Sequence, residues 1–545
     1  MNRREFTRNF LLTAGALTLQ PLSTLVAQQT VTVPASQDGA TTFAAGIIYG
    51  VRGGKKSPLP QVRVSNGRDI VVTDRLGRYR LPVAQGDVVF VIKPRGFALP
   101  LNEQNLPQFY RVHQPQGSLA LKFAGVAPTG PLPTSLDWTL QAQEESDEFR
   151  VLLFGDPQSR NQEEVGFLTR DIIADVVGEK AAFGVSLGDL AFDDLSIYPN
   201  QNRAIAMLGM PWFNVVGNHD LNFDVPDRTL STETFKSIFG PTYYSFDYGS
   251  AHFVVLDDVA YDGIGSALAG KNKGTYHTEL GAKQLQWLEN DLKLVPREQL
   301  VVIMTHIPLV NPEAKDAVGH QADLRDLAAF FRIIESRPHC ISISAHTHFQ
   351  QHLFLGREVG FNGPSPHHHF NAVTTCGSWW TGMRDEQGIP HTTMRDGAPN
   401  GYSFLNVKGN RYSIDFKAAR RSADHQMNIY APDEVASVDA AKTEILANIF
   451  AASEKSRVEM QIGNGAWRMM QFAPRPDPAY VAAKNAQEAL EKNGGARKLP
   501  AIIDSPHIWA ANLPENLPAG THMIRVRTTD MWGRTHQDHT VIRVA

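Results

Sequence analysis

Five short apolar runs in the middle of the chain each end in a cluster of polar residues. The runs and their clusters read "VLLFGDPQ", "AFGVSLGDLAFDD", "WFNVVGNHD", "VVIMTHIP" and "CISISAHTH", all within residues 151–348. Apolar runs of this length predict buried strands. In open α/β sheets the loops at the carboxyl ends of the strands meet at one crevice. The pattern therefore predicts a single polar site along one edge of a sheet.

Segments with helical periodicity separate these runs. They read "EEVGFLTRDIIADVV", "AKQLQWLENDL" and "DLRDLAAFFRIIES". Alternating strands and helices predict an α/β sandwich with a largely parallel or mixed sheet. Within the same layer, "TYYSFDYGSAHFVVLDD" predicts a hairpin that turns at Gly249-Ser250.

The two flanking regions show short alternating runs broken by glycine and proline. Before the centre, Asn66-Gly67 and Leu76-Gly77 are turn signals between such runs. After it, similar runs continue to the end of the chain around one helical segment, "PAYVAAKNAQEALEKN". We therefore predict all-β sandwich domains at 43–143 and 419–545, on either side of an α/β domain at 148–418.

The polar clusters offer carboxylate, amide and imidazole groups and no thiol. Such a mixed oxygen and nitrogen donor set suits divalent metal ions. Two clusters repeat a donor at positions i and i+2, Asp156 with Gln158 and His346 with His348. In extended backbone, side chains two positions apart point the same way, so each pair is expected to face one pocket.

The order of the clusters resembles the calcineurin-like metallophosphoesterase superfamily. Its five motifs run Asp-x-His, Gly-Asp, Gly-Asn-His-Asp or Glu, His, and Gly-His-x-His, and the match covers about residues 150–350. The flanking regions are similar to the terminal domains of an exported bacterial subgroup. The resemblance implies a central four-layer α/β metallophosphoesterase sandwich flanked by two small all-β sandwich domains. It also implies a hydrolase acting on phosphoric ester bonds.

The resemblance further implies a dinuclear metal centre. One ion would take Asp156, Gln158, Asp189 and His348, and the other would take Asn218, His306, His346 and the shared Asp189. Asp189 would bridge two ions about 3.5–4 Å apart, and a hydroxide spanning them would attack the phosphate. His219 resembles the catalytic histidine of the family, and Asp220 is expected to orient it.

Two positions depart from the family pattern. Gln158 stands where histidine is commoner, and Ala345 stands where glycine is commoner. An amide oxygen is a harder donor than an imidazole nitrogen. We therefore predict that this position prefers Mn²⁺, Mg²⁺ or Fe²⁺ to Zn²⁺.

Three groups of residues near the motifs each allow two interpretations. Either Asp193 or Asp194 orients a metal-binding histidine, or both begin a helix that faces water. The run His367, His368 and His369 either reaches the substrate phosphate with at most two of its rings or forms a solvated loop. Trp379 and Trp380 either form a stacking wall for a sugar or base or pack in the core.

The net charge limits the classes of partner that the protein can bind, and the cysteine count limits its disulfides. A net charge of −4 and the lack of a run of lysine and arginine argue against a nucleic-acid partner, and hence against a nuclease. Cys340 and Cys376 are expected to be buried free thiols, with a single bridge as the alternative.

The N-terminal segment resembles an export signal. Arg3 and Arg4 precede a short apolar stretch that ends near Ala27, as in twin-arginine signals. We therefore expect a signal at 1–28, recognition by the twin-arginine export machinery, and a periplasmic or secreted location. No other segment approaches the ~18 apolar residues of a membrane-spanning helix.

The lysine and arginine content of the motifs bears on whether the substrate is a phosphate monoester or a diester. Dianionic monoesters usually need an additional lysine or arginine near the metals, and none of the motifs contains one, although Arg160 follows the first. We therefore favour a phosphodiester over a monoester, in a small molecule or in a glycan-linked or lipid-linked substrate. The alternative is a glycan-binding or surface-binding protein whose central domain holds metals but turns over poorly.

Overall fold

A small β-sandwich begins the part of the chain that the structure describes. The computed structural model describes residues 42–266, 273–311, 324–491 and 497–545, so the expected export signal lies outside the described residues. The strands of the sandwich are β1 (Phe43–Arg52), β2 (Lys55–Pro58), β3 (Arg63–Ser65), β4 (Ile70–Val72), β5 (Arg78–Pro82), β6 (Val88–Ile92), β7 (Phe97–Ala98), β8 (Tyr110–Val112) and β9 (Trp138–Ala142). One sheet has the order β2-β1-β9-β7 with β5 also paired to β1, and the other has the order β4-β3-β6-β8.

The central region alternates strands and helices. Its elements are β10 (Glu148–Phe154), α1 (Gln162–Leu168), α2 (Ala174–Val176), β11 (Phe183–Ser186), α3 (Tyr198–Ala206), β12 (Trp212–Asn214), α4 (Arg228–Ser231), α5 (Glu233–Phe239), β13 (Tyr244–Tyr248), β14 (Ala251–Val255), β15 (Val259–Tyr261), β16 (Tyr276–Thr278), α6 (Ala282–Lys293), β17 (Leu300–Met304), α7 (Leu327–Ile334), β18 (Cys340–Ser344), β19 (Gln351–Leu355), β20 (His367–Asn371), β21 (Gly401–Lys408) and β22 (Arg411–Ala418). A π-helical turn at Thr169–Ile173 joins α1 to α2, so the three form one helical segment.

Two mixed sheets form the middle of this region. The first has the order β12-β11-β10-β21-β22 and the second β13-β14-β17-β18-β20-β19. Strands β10, β11 and β12 are parallel to one another, as are β14, β17, β18 and β20. The expected hairpin is present, since β13 and β14 pair antiparallel across Gly249 and Ser250.

Strand β10 shows why the region has four layers. Val151 and Leu153 pack in one core cluster, between the two sheets, whereas Leu152 and Phe154 pack in another, against α1 and α3. Successive side chains of a strand point to opposite faces, so a fully apolar strand is buried on both. Helices α6 and α7 cover the outer face of the second sheet. The predicted four-layer α/β sandwich is confirmed.

The C-terminal region forms a second sandwich. Its elements are β23 (Met427–Tyr430), β24 (Glu434–Val435), β25 (Glu444–Ile449), β26 (Arg457–Ile462), β27 (Arg468–Met469), β28 (Gln471–Phe472), α8 (Pro478–Glu491), β29 (Ile508–Asn512), β30 (Gly520–Thr529) and β31 (Thr535–Val544). The sheets have the orders β23-β25-β29-β28 and β24-β31-β30-β26-β27, and they enclose a separate core cluster. Among the described helices, none combines the length and the apolar character needed to cross a bilayer.

The histidine run is part of the second sheet. His367, His368 and His369 begin β20 and are buried, so the prediction of a solvated loop is wrong. The ring of His369 lies 2.7 Å from Ser342 Oγ and 2.9 Å from Ser344 Oγ, on the neighbouring strand. Burial lowers the pKa of His369 to about 3, so the ring is neutral.

Candidate metal centre

The predicted metal-binding residues lie at the carboxyl ends of parallel strands from both central sheets. From the first sheet, β10, β11 and β12 lead into Asp156 and Gln158, Asp189, and Asn218 respectively. From the second sheet, β17 leads into His306, and β18 leads into His346 and His348. Contacts connect all seven residues, one of them through the backbone N–H of His346. The single polar site expected at the sheet edge is therefore present.

One half of the cluster contains Asp156, Gln158, Asp189 and His348. Asp156 Oδ1 lies 3.9 Å from His348 Nε2, and Gln158 Nε2 donates to Asp189 Oδ2 at 2.9 Å. Asp156 Oδ2 accepts from the backbone N–H of His346 at 2.9 Å, which ties this half to the other. Gln158 presents its amide nitrogen to Asp189, so ligation through Oε1 requires the amide to turn over.

The other half contains Asp189, Asn218, His306 and His346. His306 Nε2 lies 3.2 Å from Asp189 Oδ1, 2.9 Å from Asn218 Oδ1 and 3.3 Å from His346 Nδ1. Ligand atoms of Asp189, His306 and His346 all lie within 4.8 Å of one another, close enough for one ion. Asp189 contacts members of both halves, as expected of a bridging carboxylate.

Several buried atoms in the cluster lack a protein partner. Asp156 Oδ1, His346 Nε2 and His348 Nε2 have no hydrogen-bond partner although they are buried. Buried polar groups of this kind are costly unless something else binds them. The Nδ1 atoms of His306 and His348 lie 2.8 Å and 2.6 Å from the carbonyl oxygens of Leu187 and Gly377. A proton held on Nδ1 leaves the Nε2 lone pair facing the cluster, as in metal-binding histidines.

The backbone of the cluster is left-handed at most of the predicted ligands. The φ angles are 39° at Asp156, 43° at Gln158, 49° at Asp189, 72° at His346 and 56° at His348. The expectation of extended backbone at the two i, i+2 pairs is therefore wrong. Sharp loops, and not strand continuations, bring each pair to the pocket.

Two glycines let the loops approach one another. At Gly188 a Cβ atom would lie 2.3 Å from His306 Nδ1, and φ is 94°. At Gly217 it would lie 2.0 Å from the backbone nitrogen of Asp189. Both distances are below van der Waals contact, so a side chain at either position would displace a predicted ligand.

His219 lies beside the cluster. Its ring contacts Asp193 and not Asp220. His219 Nδ1 lies 2.6 Å from Asp193 Oδ1, and the His219 backbone N–H donates to Asp189 Oδ1 at 2.8 Å. Asp220 instead accepts from the backbone N–H groups of Gly217, Leu190 and Ala191 and from the hydroxyl of Tyr198. The expectation that Asp220 orients His219 is therefore corrected. Asp220 is buried beneath the loops, where it satisfies their backbone.

The charges of the cluster shift several pKa values. Burial raises the pKa of Asp156 to about 7. Burial lowers the pKa of His306, but the neighbouring Asp189 carboxylate more than offsets this and raises it to about 10. Burial lowers the pKa of His346 to about 3. In the absence of another cation, a proton on His306 thus balances the carboxylates.

Some residues around the cluster were not predicted. Asp258 accepts from the backbone N–H groups of His306 and Ile307. The segment "FVVLDD" follows β14 in the same way as the other clusters follow their strands, so the signal was present. Lys273, whose Nζ lies 2.6 Å from Asp193 Oδ2, is in a connecting loop without such a signal. The two cysteines were predicted to be buried free thiols: Cys376 is free and buried, 3.8 Å from Gln158 Oε1, whereas Cys340 is free but only partly buried.

The two tryptophans have different positions. Trp380 is buried and donates from Nε1 to the carbonyl oxygen of Pro157, so it packs in the core. Trp379 is only half-buried, and its ring is stacked on His348 with 3.7 Å between centroids. Asp194 caps a short helical turn by accepting from Ser196, as a helix start would.

Sequence comparison matches three segments of the chain to models of one protein family. Residues 149–350 match the model of the calcineurin-like phosphoesterase family, residues 47–125 match that of the N terminal of calcineurin-like phosphoesterase, and residues 369–536 match that of the C terminal. No curated protein matches the chain.

Two solved structures resemble parts of the chain. The purple acid phosphatase PPD1 from yellow lupin (Lupinus luteus) seeds is 14% identical and has a TM-score of 0.36, with 66% of this chain and 67% of that chain covered. CopC from Methylosinus trichosporium OB3b is 13% identical and has a TM-score of 0.13, with 22% of this chain and 88% of that chain covered. The three family matches together span most of the sequence. The chain belongs to the calcineurin-like phosphoesterase family and is a phosphoric-ester hydrolase.

Proposed function

We propose that this protein is an exported phosphoesterase with two divalent metal ions, and that it prefers phosphodiesters. The observation that supports it most is the set of buried, unpartnered ligand atoms on Asp156, His346 and His348, which converge from both central sheets. The family generally uses a dinuclear metal centre, and the donor set fits one. Substrates would be small-molecule, glycan-linked or lipid-linked phosphate esters.

The residues would divide between two ions as their contacts suggest. Asp156, Gln158, Asp189 and His348 would hold one ion, and Asp189, Asn218, His306 and His346 would hold the other. When bound, the ions would supply Lewis-acid stabilisation of the phosphoryl oxygens and an activated water nucleophile. His306 would lose its proton on binding, since its Nε2 atom would then serve as a ligand.

His219 would act as the proton donor to the leaving oxygen. Burial lowers the pKa of His219, but the carboxylates of Asp189 and Asp193 more than offset this and raise it above its ordinary value. A protonated imidazole beside the cluster can donate from Nε2 while Asp193 holds Nδ1. The ring is one-fifth exposed, so a substrate can reach it.

The preference for diesters rests on how the nearby cations are used. Arg160 stacks on Phe192, whose ring stacks on His219, and Lys273 contacts Asp193, which contacts His219. Each cation already has an acidic partner, Glu164 and Asp193 respectively. A monoester dianion needs an additional cation, and these two are engaged. A diester carries one negative charge fewer.

A comparison of two chromogenic esters tests the reaction. The full chain, with Mn²⁺ added, is expected to hydrolyse bis(p-nitrophenyl) phosphate faster than p-nitrophenyl phosphate. His219→Ala is expected to lower kcat on the diester by about 10²–10⁴-fold. His539→Ala, at an exposed residue of β31 in the C-terminal region, serves as the matched control. If the wild type were as inactive as His219→Ala with every divalent metal, the chain would instead be a binding protein.

The identity of the metals is a separate part of the proposal. The amide at Gln158 supports a preference for Mn²⁺, Mg²⁺ or Fe²⁺ over Zn²⁺. Metal-free protein reconstituted with each ion in turn is expected to be least active with Zn²⁺. Highest activity with Zn²⁺ would contradict the preference.

The location is also proposed from the sequence. The arginine pair Arg3-Arg4 supports export through the twin-arginine machinery to a periplasmic or secreted location. Replacement of both residues by lysine is expected to leave the protein in the cytoplasmic fraction. Unchanged export would contradict this route.

A further inference from the structure

Arg160 lies between the predicted catalytic histidine and a predicted metal ligand, outside the family motifs. On one side it contacts Phe192, with the guanidinium carbon 4.1 Å from the ring centroid. The Phe192 ring in turn stacks on His219, with 4.2 Å between centroids and 25° between planes. The guanidinium of Arg160 therefore restrains the Phe192 ring, and the Phe192 ring restrains the orientation of His219.

On the other side Arg160 contacts the loop that carries Trp379. Its Nη1 donates to the carbonyl oxygen of Trp379 at 2.6 Å. The Trp379 ring stacks on His348 at 3.7 Å and 27°. Trp379 has a φ of 59°, a conformation that a tryptophan keeps only when its surroundings hold it there. The bond from Arg160 is one such restraint on the ring that covers His348.

A buried carboxylate holds Arg160 in this position. Glu164 is fully buried and pairs with Arg160 Nη1 at 3.4 Å, and its Oε2 accepts from the backbone N–H of Arg160 at 2.8 Å. Arg497, from the C-terminal region, also pairs with Glu164 and donates to the carbonyl oxygen of Trp380. The two guanidinium groups thus share the Glu164 carboxylate, and each donates to one of two adjacent carbonyl groups.

We propose that Arg160 is a positioning residue that fixes His219 through Phe192 and His348 through Trp379. This inference rests on the proposed function, in which His219 transfers a proton and His348 binds a metal ion. The planar guanidinium is essential to it, because one group stacks on a ring and donates to a carbonyl oxygen at once. A lysine at this position would keep the charge without the planar contact.

The test measures turnover and metal binding separately in the full chain. For Arg160→Met we expect kcat on bis(p-nitrophenyl) phosphate to fall about 10–100-fold, and the Kd for Mn²⁺, titrated into metal-free protein, to rise about 10–100-fold. Arg160→Lys is expected to resemble Arg160→Met in both. Values within twofold of the wild type for Arg160→Met, or full rescue by lysine, would overturn the proposal.

Two further variants separate the effect of Arg160 on His219 from its effect on His348. Phe192→Leu is expected to lower kcat and to leave the Kd for Mn²⁺ unchanged. Trp379→Leu is expected to raise the Kd. If Arg160→Met failed to fold, this split would carry the test, and its absence would overturn the proposal.

Arg170→Met is the matched control. Arg170 also lies over a phenylalanine ring, that of Phe167, and also donates to a backbone carbonyl oxygen, that of Gln387. It is expected to leave both values unchanged, and an effect equal to that of Arg160→Met would overturn the proposal. Turnover and the Kd for Mn²⁺ together distinguish failure of the proposed function from failure of the positioning role. A wild type that hydrolyses no ester refutes the proposed function, whereas unchanged Mn²⁺ binding in Arg160→Met refutes the positioning role.

Discussion

At the scale of single residues, the feature that sets this site apart is left-handed backbone at its ligands. Asp156, Gln158, Asp189, His346 and His348 all have positive φ angles. For a residue other than glycine this conformation costs roughly 1–2 kcal/mol. Such strain persists where surrounding contacts hold it, and it concentrates at functional sites. The loops are thus held in the geometry that directs five predicted ligands into one pocket.

Replacing Asp193 should mainly affect turnover, whereas replacing Asp220 should mainly affect the stability of the fold. Asp193→Asn is expected to lower kcat about 10–100-fold with little change in the melting temperature, because Asp193 acts on the His219 ring. Asp220→Asn is expected to lower the free energy of unfolding by about 1–3 kcal/mol, because Asp220 satisfies buried backbone N–H groups. Steady-state kinetics and thermal unfolding of both variants check this. Equal effects on turnover without loss of stability would restore Asp220 as the partner of His219.

At the scale of elements, the strands and their order along the chain were predictable, and the loops were not. Apolar runs identified β10, β11, β12, β17 and β18, because a strand buried on both faces is apolar throughout. The sequence indicated that Asp193 could orient a metal-binding histidine, but not that it contacts His219 in place of Asp220, because that contact depends on how the loop after β11 turns back. Sequence spacing contains no information on a positive φ at residues such as His346. The position of Arg160 depends on Phe192 and Trp379, which are far apart in sequence.

The hairpin of β13 and β14 carries a second charged cluster, remote from the metal ligands. His252 is buried, with Nδ1 2.7 Å from Asp247 and Nε2 2.8 Å from Asp291 on α6. Arg63, on β3, pairs with both of these carboxylates. Burial lowers the pKa of His252, but Asp291 and Asp247 more than offset this and hold it above its ordinary value.

A raised pKa predicts how the stability conferred by His252 depends on pH. The protonated ring stabilises the folded state, so its contribution is complete below the unfolded-state pKa of about 6.5 and declines as pH rises through the folded-state value. The difference in unfolding free energy between wild type and His252→Gln is therefore expected to be largest at low pH. Denaturant unfolding between about pH 5 and 9 measures it. A difference that grew with pH would contradict the assignment.

At the scale of the whole molecule, contacts from both flanking regions reach the central domain. Arg63 of the first sandwich pairs with Asp247 and Asp291, and Lys93 pairs with Glu145 while donating to the carbonyl oxygen of Asp247. From the C-terminal region, His507 Nε2 lies 2.9 Å from Asp396 Oδ2. Both flanking regions are therefore bound to the central sandwich through buried or partly buried polar contacts.

Metal binding should stabilise the folded chain as a whole. Ions that bind only the folded state add about 2.7 kcal/mol to the free energy of unfolding at 100 times their Kd. Thermal unfolding with Mn²⁺ and with a chelator is therefore expected to show a higher melting temperature with the ion. The same comparison on Asp189→Asn is expected to show a much smaller shift, because Asp189 serves both ions. An equal shift in the variant would place the bound ions elsewhere.

We infer that loops from the two central sheets hold two ions around Asp189. Diffraction from crystals grown with Mn²⁺, recorded at a wavelength where manganese scatters anomalously, tests it most directly. We expect two anomalous peaks about 3.5–4 Å apart, both within bonding distance of Asp189. A well-ordered pocket without a peak would contradict it.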